Sequence, residues 1–86
     1  MLLEIKVPKV IDKPDIIRLV TWYVKDGDPV EDQAALCILE TSKASFEVPA
    51  EKKGFVKRVK KEGSTVVVGD IICLIADDLK ELGFAQ

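Results

Sequence analysis

The chain has 86 residues, 48% of them apolar, with 13 basic and 15 acidic side chains and a formal net charge of −2. A chain of this length is one small domain, burying roughly 60% of its unfolded surface and offering no deep catalytic cleft. Both signs of charge are interspersed, which argues against nucleic acid as a partner; with no histidine and only two cysteines, the familiar zinc spacings and Ser-His-Asp or Cys-His catalysis are excluded.

The start, Met1 to Lys6, is too short and too charged for a signal peptide. The longest apolar stretch, Thr65 to Ala76, is broken by Gly69 and Asp70 and falls short of the ~20 residues a membrane span needs. A soluble, cytoplasmic protein is expected, or one of the mitochondrial matrix if the source is eukaryotic.

Leu3 to Val7 alternates with period two and reads as a strand ended by Pro8. Pro8 to Asp15, with two prolines and two aspartates, reads as a loop. Ile16 to Val24 is β-branched and aromatic-rich, hence strand, with Trp22 expected in the wall of a sandwich. Lys25-Asp26-Gly27-Asp28 signals a turn, Val30 a short strand, Asp32 to Ala35 a second turn, and Leu36 to Glu40 a strand.

Beyond the next turn, Ser45 to Val48 alternates again and Pro49 to Lys53 is a loop. Phe55 to Lys60 and Val66 to Val68 are predicted strands, separated by a turn at Lys61-Glu62-Gly63-Ser64. A turn at Gly69-Asp70 precedes the last strand, Ile71 to Ala76. Domain limits of 1–77 follow, with 78–86 a tail or linker start in which Leu79 and Leu82 can form a short helix or stay disordered. Cys37 and Cys73 lie inside apolar runs and are expected in the core, without a disulfide. Gly27, Gly63 and Gly69 suit positive-φ turns, and Asp28, Glu31 and Asp32 a solvated face.

A shift of 36 residues lays Leu19 on Phe55, Val20 on Val56, Lys25-Asp26-Gly27 on Lys61-Glu62-Gly63, and Leu36 to Leu39 on Ile72 to Ile75. On this superposition Arg18 stands where Gly54 predicts a glycine. Such a repeat predicts an all-β fold: a flattened barrel or sandwich of two similar four-stranded sheets related by a pseudo-twofold axis, one sheet from each copy. The first copy ends at Glu40-Thr41-Ser42-Lys43-Ala44, where the chain is expected to cross between sheets. Its counterpart after the second copy is Asp77-Asp78-Leu79.

That pentad interrupts an apolar strand and is followed by an alternating one, the pattern of a hairpin with Lys43 at its tip. It lacks Gly and Asn, so an ordinary turn braced by the Thr41 and Ser42 hydroxyls is expected rather than a primed turn. A lysine there projects its amine away from the sheet between two small neighbours. Most hairpin lysines are solvated charges, so the tip alone assigns nothing.

The run Trp22 to Val30, then Leu36 to Ala44, Glu47-Val48, Gly54 and Val68-Gly69-Asp70, resembles the lipoyl domains of 2-oxo acid dehydrogenase acyltransferase subunits. The resemblance spans about residues 3–76. It implies Lys43 as the site of an amide-linked lipoic acid. It further implies Glu40 and Gly27, with Thr41, Ser42 and Ala44, as features recognised by the attaching ligase.

Two features depart from the family pattern: Ser42 replaces the usual Asp, and the 8–15 loop lacks the usual Gly-Glu-Gly. By the same resemblance the chain is a carrier and not itself an enzyme. Its partners would be a lipoate ligase, a thiamine-dependent dehydrogenase, an acyltransferase and dihydrolipoamide dehydrogenase, and the isolated domain would be a monomer. Tethering gives effective concentrations on the order of millimolar at each partner, and the hard chemistry belongs to the cofactor. Two alternatives are a biotin carrier, whose families place Met on both sides of the lysine, and an unmodified interaction domain of the same fold.

Overall fold

The computed structural model describes residues 2–9 and 16–84; most of the predicted 8–15 loop, residues 10–15, lies outside the described residues. The strands are β1 (Leu2–Lys6), β2 (Ile17–Trp22), β3 (Pro29–Val30), β4 (Ala35–Glu40), β5 (Ser45–Pro49), β6 (Gly54–Arg58), β7 (Thr65–Val66) and β8 (Ile71–Ala76). They form two antiparallel four-stranded sheets, ordered β1-β8-β6-β3 and β5-β4-β2-β7. The predicted all-β sandwich is therefore observed, with the strand predicted over 66–68 reduced to Thr65–Val66.

The inward faces carry Ile5, Ile17, Leu19, Leu36, Leu39, Val56, Ile72 and Ile75, all fully buried, with Trp22 closing the wall. Burying an aliphatic side chain of this kind contributes roughly 1.5–3 kcal/mol. Cys37 and Cys73 are buried, unpaired core residues, and burial pushes both thiols up to about 12.

Period two breaks where bulges occur. In β2 the buried residues are Ile17, Leu19 and Trp22, because Leu19 pairs with Leu39 and Thr21 with Ile38, leaving Val20 as an extra residue. Leu36 is skipped in the β4–β5 ladder and Ile72 in the β1–β8 ladder, which lets Leu36-Cys37 and Ile72-Cys73 each bury consecutive side chains.

The Val20 bulge corrects the repeat alignment. Ile17 faces Val66 as Gly54 faces Val30, and Leu19 faces Leu39 as Val56 faces Ile75. Leu19 therefore matches Val56, not Phe55, and Gly54 matches Ile17, not Arg18. A Cβ on Gly54 would strike the Ala76 carbonyl oxygen, which accounts for that glycine.

A second correction concerns how the copies assemble. Each contributes most of one sheet but lends one strand to the other: β3 pairs with β6 and β7 pairs with β2. The exchange is fixed by matching turns. Gly27 N–H donates to Val56 O at 2.7 Å and Gly63 N–H to Leu19 O at 2.7 Å. Carboxylates cross likewise: Glu62 Oε1 accepts from Trp22 N–H at 2.9 Å and Asp26 Oδ1 from Arg58 N–H at 2.6 Å. Asp28 is half-buried rather than on a solvated face, and its Oδ2 accepts from Lys25 N–H at 2.9 Å; Glu31 and Asp32 are exposed.

Gly27, Gly63 and Gly69 have φ of 87°, 83° and 91°, as expected of the turns. Gln33 and Gly69 are equivalents: Gln33 N–H donates to Ala50 O at 2.7 Å and Gly69 N–H to Val7 O at 3.0 Å. Gln33 takes the same left-handed conformation, φ 70°. Past 77, a 3-10 turn (Leu79–Leu82) capped by Asp78 buries Leu82 and lays Leu79 beside Gly27.

Candidate functional site

Lys43 lies on the β4–β5 hairpin, inside one sheet. The crossing between sheets comes later, between Pro49 and Gly54, because β4 and β5 are adjacent partners whose ladder runs to Glu40 opposite Ser45. The expectation of a crossing at Lys43 is corrected accordingly, while the hairpin itself is as predicted.

The tip is closed by Thr41. Its N–H donates to Ala44 O at 2.8 Å, and its Oγ1 accepts from Lys43 N–H and Ala44 N–H, each at 3.2 Å. These bonds satisfy turn amides that a hairpin tip otherwise leaves to water. Ser42, Lys43 and Ala44 are exposed and Thr41 is half-buried. No ion pair holds the Lys43 amine among the described residues.

Glu40, Thr41, Ser42 and Ala44 are brought together with Lys43. Gly27 is not: it belongs to the β2–β3 turn, bonded to Val56 and facing Leu79 at the end where the 3-10 turn packs. One neighbour of the tip was not placed there from sequence. Arg18 is the cross-strand partner of Glu40, and with the 65%-exposed Ile16 it lines a shallow groove against Glu40, Thr41 and Ser42. The Val20 bulge hides that register from any count along the sequence.

An accessible primary amine on a braced corner, between small side chains, is suited to amide formation with an activated carboxyl group. The family model described as biotin-requiring enzyme, covering biotin and lipoyl domains, matches residues 4–75. The chain belongs to this biotin/lipoyl family.

Among its relatives is the dihydrolipoyllysine-residue acetyltransferase component of the pyruvate dehydrogenase complex of Staphylococcus aureus, 33% identical over 86 residues. The match takes in 98% of this chain and 20% of that protein, so the chain spans about a fifth of its relative's length. The lipoyl domain of the Azotobacter vinelandii 2-oxoglutarate dehydrogenase complex superposes with a TM-score of 0.71 at 31% identity, covering 86% of this chain and 95% of that one. Kluyveromyces lactis urea carboxylase gives a TM-score of 0.74 at 26% identity over 88% of this chain and 6% of that one. The two superpositions are nearly equal, so shape does not choose between these relatives; the higher identity to the acyltransferase and the lipoyl domain does. The chain is a lipoyl-type carrier domain of this family, as the sequence resemblance implied.

Proposed function

We propose that Lys43 carries lipoic acid in amide linkage, and that the domain serves the acyltransferase component of a 2-oxo acid dehydrogenase complex in the cytoplasm. The observation that carries this is the exposed Lys43 amine on a hairpin corner whose backbone is held by Thr41. When bound, the group supplies a disulfide–dithiol couple that can carry an acyl unit.

The residues present fit such a group. Ser42 and Ala44 are too small to screen the amine, and no carboxylate among the described residues holds it as an ammonium ion. Amide formation needs a neutral amine as nucleophile, so the ligase that activates the carboxyl group also has to accept the proton released from the amine. Glu40, Thr41, Ser42 and Ala44 form the surface that the ligase grips. Gly27 acts through the fold, allowing the positive-φ turn that seats β3 on β6. The partners served are a thiamine-dependent dehydrogenase, an acyltransferase and dihydrolipoamide dehydrogenase, each meeting the arm rather than a cleft in this domain.

The test is co-expression with a lipoate ligase and a biotin ligase, followed by intact-mass and peptide-mass analysis. The expected product is a single lipoyl adduct on Lys43, abolished in Lys43→Arg with an unchanged circular dichroism spectrum. Biotin on Lys43, or a lipoyl adduct that survives Lys43→Arg, would overturn the assignment.

A further inference from the structure

We infer that the Thr41 hydroxyl is a positioning group for attachment, fixing the backbone pose from which Lys43 is presented to the ligase; this rests on Lys43 being the attachment site. Four residues, Thr41 to Ala44, join the paired strands, and loops of that length are most often built around a type I turn, without the positive-φ conformation of primed two-residue turns. Neither Ser42 nor Lys43 has that conformation, since Gln33 is the one non-glycine residue with positive φ among the described residues.

The strand ladder ends at Glu40 opposite Ser45, so something in the loop must accept from the amides beyond it. Thr41 does so with one side-chain oxygen. Oγ1 accepts from Lys43 N–H and Ala44 N–H at 3.2 Å each, and the hydroxyl lies 3.3 Å from Ala44 O, to which it can donate. A threonine two residues before the lysine thus braces the loop without any residue at positive φ. It also leaves the lysine side chain untouched, so the amine stays available while its origin is fixed.

Loss of this brace would lower the fraction of molecules in the pose a ligase accepts. Apparent affinity falls by that fraction, while turnover of correctly bound molecules is preserved. A pose populated about one-tenth of the time raises KM about tenfold, equivalent to about 1.4 kcal/mol.

The experiment measures lipoylation kinetics with a lipoate ligase, lipoic acid and ATP on the wild type, Thr41→Val and Thr41→Ser. Thr41→Val is expected to raise KM roughly tenfold with kcat nearly unchanged, and Thr41→Ser, which keeps the oxygen, to restore wild-type kinetics. Amide exchange in the wild type gives a readout that needs no variant to fold: the Lys43 and Ala44 amides should exchange more slowly than an unprotected hairpin tip. Equal kinetics for wild type and Thr41→Val, or unprotected Lys43 and Ala44 amides, would overturn the inference alone. An unlabelled wild type would overturn the attachment reading and this inference with it.

Discussion

Replacing Gly54 by alanine tests the packing of β6 against β8 at one carbon atom. The added Cβ would collide with the Ala76 carbonyl oxygen, lie 2.8 Å from Ile75 Cγ2 and 3.2 Å from the Ala76 carbonyl carbon. Retreat is blocked on both sides, since β6 pairs with β8 through Phe55–Ala76 and Val56–Ile75 and with β3 through Gly54–Val30. Gly54 has no positive φ, so the cost is steric. Overpacking a well-filled site costs roughly 1–3 kcal/mol, and contact with backbone on an inner strand places this change near the top of that range. Stiffening of the unfolded chain returns about 0.4–1 kcal/mol, leaving a net loss of about 2 kcal/mol. For a domain of this size that lowers Tm by roughly 8–16 °C. Urea unfolding followed by the fluorescence of Trp22, the single tryptophan, measures it directly. Gly63→Ala is the control: nothing lies within 4 Å of its added Cβ, but its φ is 83°, so only conformational strain is probed. A Gly54→Ala loss below about 0.5 kcal/mol would refute the steric account, because overpacking a site that cannot yield costs more than that.

Gln33→Gly should stabilise the domain by about 1 kcal/mol, because a side chain is removed from a left-handed position that its counterpart Gly69 fills with glycine. A Tm rise of about 4–8 °C checks it, and a fall would show that the exposed Gln33–Asp32 side-chain bond at 3.1 Å outweighs the backbone strain. The Trp22 N–H and the Thr21 hydroxyl hold the Glu62 carboxyl below its ordinary 4.5. A carboxyl lowered by folding contributes stability that is present above the unfolded value and lost as pH falls through the lower folded value. Glu62→Gln should therefore lower Tm at pH 7, and the gap should shrink below about pH 4.5, the ordinary value from which it is lowered. A gap that stays constant from neutral to acid pH would show that charge plays no part in the turn.

What could be read from the sequence was whatever depends on nearest neighbours along the chain. The Thr41–Ala44 corner, the positive-φ glycines and the alternation of β5 are local, and each is found where its residue types place it. The misplaced repeat has one cause. A single inserted residue, Val20, shifts every upstream position of β2 by one relative to the second copy, which moved the apparent partner of Gly54 from Ile17 to Arg18. Because β-strand side chains alternate, a one-residue slip exchanges inside and outside. The opposition of Arg18 and Glu40 beside the lysine corner depends on that slip. The exchange of β3 and β7 between sheets is likewise invisible to a repeat count, since it is set by which turn each glycine bonds across the pseudo-twofold axis.

The same axis relates the lysine hairpin to the opposite end of the sandwich. Ladder for ladder, Glu40 corresponds to Ala76 and Ser45 to Leu2, so the hairpin corner at one end stands where the chain's beginning and its last strand meet at the other. The residue 36 positions after Lys43 is Leu79, and it turns inward: a Cβ on Gly27 would lie 3.9 Å from its Cδ2. Gly63 is the counterpart of Gly27, and a Cβ there would meet nothing within 4 Å. The duplication thus builds two equivalent corners. The 3-10 turn lays Leu79 against Gly27, and among the described residues nothing takes that place at Gly63.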